Sequence, residues 1–277
     1  MPSLPLWARA LRALDRATWV AYHAHEIARD EILFAWLHPD LRSMATVAAY
    51  SEMRTYLPGG ETFESGLFNW ELSLLARPEV PRSGRVLLAA AGGGRELKAL
   101  GERGYSVTAF EPNPVLFEGV LQVATSLRAV QVLRAAFADL APAVNGDGPL
   151  AGLRTQVFDW VLFGWGSFTH ITERDEQAAT LRAVRALAPG APVVLSFFLR
   201  KPVAPESRSR RVRLFLREAF SRAGGRASVA PGLSYDSGGG FVYSYTVEEL
   251  HQLGAMTGYR IAFLDAQIFP CAVLLPV

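Results

Sequence analysis

Short apolar runs alternate with amphipathic stretches through the last two thirds of the chain. RVLLAA (85–90), SVTAFE (106–111), VQVLRAAF (130–137), FDWVLFGW (158–165) and PVVLSFFL (192–199) are rich in Val, Leu and Phe. Such runs fit strands buried on both faces. Helical spacing fills the gaps: one stretch follows the glycines at 92–94, one covers 114–128, and one covers 175–190 and ends in Pro-Gly. TVEELHQLGAMTGY (246–259) reads as a helix whose Thr246 and Glu249 form a capping box. RIAFLDA and CAVLLPV supply two last strands. The alternation predicts an α/β fold, a doubly wound seven-stranded mostly parallel sheet with helices on both faces.

The N-terminal part has a different texture. Trp7, Leu11, Leu14, Ala17 and Trp19 lie near helical spacing, and a second pattern runs through Ile27, Ile32, Leu33, Trp36 and Leu37 until HPD (38–40) breaks it. A third helix is expected over 40–56, ending at PGG (58–60), and a helical pattern over 66–76 precedes the turn-rich linker 77–84. These segments predict a helical cap or lid over 1–80, a core over 81–277, and an insertion at about 200–240.

Composition narrows the function classes. Of 277 residues, 50% are hydrophobic and 19% charged, which supports a sizeable core and excludes a disordered chain. The net charge of +2 argues against a nucleic-acid partner held by bulk electrostatics. Cys271 stands alone, so neither an intrachain disulfide nor a cysteine-cluster metal site is available. His23 and His25 are two apart and face different sides of a helix, so no metal is expected there. No apolar run reaches the ~18 residues of a membrane span, and Arg9, Arg12, Asp15 and Arg16 interrupt the N-terminus. A cytoplasmic protein without membrane contact is the expectation. Arginines 200, 208, 210, 211, 213 and 217 form a local basic run, read as a solvated helix face before a docking surface.

The chemically informative unit is VLLAAAGGGREL followed by VTAFEPNP. A strand ends, small residues make the turn, and a helix begins. Free N–H groups at a helix start can bind a polar or anionic group. Glu111 lies 17 residues after Gly94, at the tip of the next strand, where a carboxylate can accept from two ribose hydroxyls. A dinucleotide or an adenosyl sulfonium would suit this arrangement. The dinucleotide fingerprint fails, because Leu97 stands where its third small residue is needed.

The chain here resembles class I S-adenosylmethionine-dependent methyltransferases of the small-molecule type, which carry a Rossmann-like sheet. Their first motif is matched by Ala90, Ala91, Gly92 and Gly94, with Ala90 in place of the first glycine and Leu88 in place of an acidic residue. That acid commonly meets the methionine amino group, so another residue has to do so here, with the N-terminal helices as one source. FEPNP resembles the second motif, with Glu111 on the ribose and Pro112 or Asn113 beside the adenine. AFADL resembles the third, with Ala138 and Asp139 at the adenine amine. FDWVLFGWGSFTHI resembles the fourth, placing Phe163 and Gly164 beside the reactive methyl. The resemblance covers about residues 84–277 without the insertion and implies S-adenosylmethionine as cofactor.

It also implies methyl transfer to an oxygen or nitrogen of a small, partly apolar acceptor. A hydroxyl acceptor needs a base near the end of the fourth strand, and His170 is placed for it; a histidine that caps a helix start or closes the pocket is the plainer reading. Trp165, Tyr56, Phe68 and Tyr243 are candidate pocket walls, with core packing as the alternative for each. Glu71 or Tyr56 is placed near the donor's amino-acid end. An RNA or protein methyltransferase docking through the 200–217 arginines and a non-methylating binder on the same fold are the rival readings.

Overall fold

The computed structural model describes residues 4–200, 208–225, 229–236, 238–267 and 269–277. Residues 201–207 of the expected insertion lie outside the described residues. The N-terminal part is helical: α1 (Leu6–Trp36), α2 (Pro39–Tyr50), and the short α3 (Glu61–Glu64) and α4 (Asn69–Leu75). Strand and helix then alternate: β1 (Arg85–Ala89), α5 (Arg95–Glu102), β2 (Ser106–Phe110), α6 (Pro114–Ala124), β3 (Val130–Leu133), α7 (Leu140–Val144), β4 (Trp160–Phe163), α8 (Arg174–Leu187) and β5 (Val193–Ser196). Last come β6 (Phe198–Leu199), α9 (Arg208–Arg222), β7 (Leu233–Asp236), β8 (Gly240–Tyr245), α10 (Val247–Thr257), β9 (Tyr259–Asp265) and β10 (Cys271–Pro276). No helix among the described residues is long and apolar enough to cross a membrane.

The chain forms two compact units: Met1–His38 with Lys201–Pro231, and Pro39–Arg200 with Gly232–Val277. In the first, α1 pairs with α9. Glu31 is buried and accepts from Arg217 Nε at 2.6 Å and Arg213 Nη1 at 3.1 Å. Arg213 also reaches Asp30 at 3.2 Å. A buried carboxylate needs such partners, so these arginines of the basic run are committed to α1. Trp36 packs on Phe220 with ring centroids 4.9 Å apart. The two apolar patterns expected before residue 38 are one continuous helix. The break falls where expected: Leu37 is extended and Pro39 opens α2, a position where its missing N–H is no loss.

The second unit holds the sheet, in the order β3-β2-β1-β4-β5-β10-β9. All neighbours run parallel except β10, which is antiparallel to β5 and β9. This is the expected seven-stranded, doubly wound sheet. Alternate residues of one strand feed two cores: Leu87 and Ala89 pack with α8 residues such as Leu181, while Val86 and Leu88 pack with Leu97 and Leu100 of α5. Burial on both faces explains why these strands are unbroken apolar runs. Asp159 Oδ2 accepts from the Arg85 N–H at 2.6 Å and ties the starts of β1 and β4 together. Chain order reverses between β1 and β4, which opens a crevice at the carboxyl ends of these strands.

The glycine-rich stretch 234–245 carries strand on both sides of its glycines. It forms the β7–β8 hairpin, and β6 pairs with β8 in a three-stranded sheet. The hairpin leans on α2, where Thr46 Oγ1 accepts from the buried Phe241 N–H at 2.9 Å. A Cβ on Gly240 would lie 2.6 Å from Thr46 Cα, so only glycine lets the two backbones meet. Residues 39–80 therefore belong with the sheet, and the compact unit begins at Pro39 where the sequence suggested residue 81. The physical reason is this α2–β8 contact, which joins segments about two hundred residues apart.

Replacing Thr46 with valine preserves shape and removes the acceptor for a buried N–H. It should cost about 1–3 kcal/mol, read as a lower midpoint in urea unfolding.

Candidate active site

A cleft of about 1250 Å³, counting its open mouth, lies at the carboxyl ends of β1, β2 and β4 within this unit. Of the residues singled out in the sequence, Ala90, Ala91, Gly92, Glu111, Pro112, Asn113, Ala138, Trp165, Tyr56 and His170 line it. Gly94, Asp139, Phe163, Gly164, Phe68 and Tyr243 do not line it.

The turn after β1 shapes one wall. Ala90 has φ of 55° and Gly94 φ of 97°. The left-handed region costs an alanine about 1–2 kcal/mol, so Ala90 is held there by its surroundings. A Cβ on Gly93 would lie 1.9 Å from the Tyr56 carbonyl oxygen. Residues 54–57 thus rest directly on the turn, which accounts for the middle glycine of the triplet.

Glu111 is 4% exposed. Its Oε2 accepts from the Gly92 N–H at 2.8 Å and its Oε1 from the Asn113 N–H at 2.9 Å. Burial pushes its pKa up to about 7, against the pull of those two donors and with a further push from Glu96. Asn113 caps α6: its Oδ1 accepts from the N–H groups of Val115 and Leu116. Its Nδ2 donates to Val47 O at 2.6 Å and Ser51 Oγ at 3.1 Å, which fastens α2 to the strand end. Asp139 turns back on its own turn and accepts from the Ala136 N–H at 2.8 Å. Ala136, Phe137 and Ala138 present the cleft wall there instead.

His170 has both ring nitrogens engaged: Nδ1 faces the Phe241 carbonyl at 3.0 Å and Nε2 the Tyr50 hydroxyl at 3.0 Å. A carbonyl only accepts, so Nδ1 carries the proton and Nε2 accepts from Tyr50. Burial lowers the histidine pKa and favours this neutral form. Tyr50, from α2, lines the cleft beside it. Trp165 is backed by Phe68 edge-on at 4.9 Å, and the Phe68 ring in turn carries the Arg95 guanidinium at 4.1 Å. Phe68 thus supports the wall from behind. Tyr243 lies outside the cleft, with its hydroxyl toward Glu249 at 3.4 Å.

Sequence reasoning missed Tyr50, Arg95 and Glu96, all of which line the cleft. Tyr50 sits among apolar helix positions that carry no spacing signal. Arg95 and Glu96 directly follow the glycines, and that adjacency was the available clue.

No protein-family model matches the chain, and no curated protein matches it in sequence. Solved structures do resemble it in fold. An S-adenosylmethionine-dependent methyltransferase of Methanosarcina mazei is 14% identical over 76% of this chain and 96% of its own, with a TM-score of 0.52. An S-adenosylmethionine-bound amino pentose methyltransferase of Micromonospora echinaspora, involved in calicheamicin biosynthesis, is 15% identical over 78% of this chain and 94% of its own, with a TM-score of 0.53. The fold is therefore that of the S-adenosylmethionine-dependent methyltransferases.

Two outcomes follow from the turn and its carboxylate. Ala90→Gly relieves the left-handed strain, which exceeds the entropic cost of a glycine; unfolding should show a gain of about 0.5–1 kcal/mol. The raised pKa of Glu111 means that the folded state keeps a proton the unfolded state has released. Its contribution to stability is complete below about 4.5 and is lost as pH rises through about 7. The melting temperature of the ligand-free protein should fall between pH 5 and 8, and Glu111→Gln should flatten that slope.

Proposed function

We propose that the chain is an S-adenosylmethionine-dependent methyltransferase acting on an oxygen or nitrogen of a small, partly apolar acceptor. The observation that carries this reading is Glu111: a buried carboxylate at the tip of β2, bonded to the glycine turn and lining the cleft. Each of its oxygens has made one backbone bond and retains lone pairs for ribose hydroxyls. Pro112, Leu116 and residues 136–138 offer largely apolar walls for an adenine. When bound, S-adenosylmethionine supplies a methyl group on a cationic sulphur.

The residues of this chain position the acceptor, exclude water and take its proton. Tyr50, Tyr56, Trp165 and Phe198 make an aromatic wall suited to a flat or apolar acceptor. Tyr50 is the group that meets an acceptor hydroxyl. Its oxygen takes the acceptor proton as its own proton passes to His170 Nε2. The imidazolium so formed keeps Nδ1–H on the Phe241 carbonyl. His170 therefore acts through Tyr50.

The RNA or protein reading needs the basic run free to dock. Arg213 and Arg217 are ion-paired with Asp30 and Glu31, and Arg200 with Glu249 at 2.7 Å, which favours the small-molecule reading.

Titration calorimetry tests the core of the proposal. The wild-type protein should bind S-adenosylmethionine and S-adenosylhomocysteine, and Glu111→Ala should weaken both by about 100-fold, the worth of two hydrogen bonds to a charged group. Wild-type protein that binds neither removes the reading. With a hydroxyl acceptor found by screening, Tyr50→Phe and His170→Gln should each lower kcat by about 100-fold or more. Equal rates for all three proteins would remove the relay.

A further inference from the structure

The first half of α1 is bare. Residues 9–22 are all exposed, whereas the pairing with α9 falls in the second half, where Asp30, Glu31, Phe34 and Ala35 are buried. About four helical turns thus stand in water, and a lone helix of ~12–15 residues is marginal there.

This arm is amphipathic nonetheless. At about 100° per residue, Trp7, Leu11, Leu14, Thr18 and Ala21 follow one another along one side, four and three apart, with Leu6, Ala10 and Ala17 beside them. Arg9, Arg12 and Arg16 stand on the other side. Leu6, Trp7, Leu11 and Leu14 are 80%, 71%, 52% and 63% exposed. With the alanines among them they present on the order of 700 Å² of apolar surface per chain, so two copies reach roughly the 1,200–2,000 Å² that a stable interface buries.

The stripe is also graded in size. Its first half is bulky, with Trp7, Leu11 and Leu14; its second half is small, with Ala17, Thr18 and Ala21. A second arm running antiparallel about a two-fold axis sets bulk against gap. Leu11 then meets the partner's Leu14, and Trp7 meets the partner's Thr18 between two alanines. The arginines of both arms point away from the seam into water. A lipid surface instead favours bulk along the whole stripe and leaves the small half unfilled. Trp19 lies on the arginine side, against His23 with ring centroids 4.0 Å apart, and is turned away from any bilayer that the stripe would enter.

We propose that α1 is a dimerisation arm: two copies of this chain pair antiparallel through the stripe from Trp7 to Ala21. The proposal stands apart from the methyl-transfer reading.

Sedimentation equilibrium of the full chain tests it. Wild-type protein should show twice the chain mass at micromolar concentration. Leu11→Glu with Leu14→Glu puts carboxylates opposite one another across the axis and should weaken the dimer by about 100-fold or more; Arg12→Glu with Arg16→Glu, on the far side, should leave it within about threefold. A wild-type monomer at ~100 μM, or an undiminished dimer in the first variant, overturns the assignment. Cysteine crosslinking checks the pairing without relying on those variants. Positions 7 and 18 of one helix lie about 16 Å apart, too far to bridge within a chain, and the native Cys271 is buried. Trp7→Cys with Thr18→Cys should give a covalent dimer with oxidised glutathione. Crosslinking by Trp7→Cys alone, or none by the pair, overturns the antiparallel arrangement. A wild-type monomer that sediments with vesicles of phosphatidylcholine and phosphatidylglycerol makes the stripe a lipid face and overturns the second-copy assignment.

Discussion

One buried carboxylate joins the two strand ends on which the cleft is built. Glu111 takes the Gly92 N–H on one oxygen and the Asn113 N–H on the other, so the turn after β1 and the segment after β2 share one acceptor. Backbone donors stabilise the anion less completely than water or a cation would, and its proton affinity rises accordingly. An acceptor short of donors keeps lone pairs open toward the cleft, which is what the proposed ribose contact requires. The rest of the site leans on the same turn: Gly93 admits the Tyr56 carbonyl, and Asn113 fastens α2 through Val47.

The cleft is acceptor-rich along its inner wall. Glu111 stands at β2 and Glu96 at α5, with one arginine committed mainly to Glu71. A ligand carrying positive charge and several donors complements such a wall, whereas an anionic phosphate would meet repulsion. This agrees with the failed dinucleotide fingerprint at Leu97. The outer wall differs in kind: it is made of aromatic rings, with Tyr50 hydrogen-bonded and edge-on to His170.

Much of the fold was legible because the sheet is buried on both faces. β1, β4 and β5 are continuous apolar runs for that reason, and the helices between them carry one apolar face each. The Thr246 cap appears as expected, with Thr246 Oγ1 accepting from the Glu249 N–H. The β7–β8 hairpin was not legible. Gly238, Gly239 and Gly240 look like a loop, and only the approach of Thr46 explains the last of them. The end of α2 at Tyr50 was equally hidden, since residues 51–56 keep a helical composition while their backbone turns onto the glycines.

The sequence alone determined what short-range order controls: the period of each element, the glycine turn, and the acid at the tip of the following strand. Such features depend on neighbours a few residues away, so spacing carries them. Only the tertiary structure decided which side chains face one another in the cleft. Tyr50 meets His170 across 120 positions, and Glu71 meets Arg95 across 24. Hydrogen bonds of about 3 Å between distant segments are set by how the sheet and helices pack, and no local pattern encodes that distance.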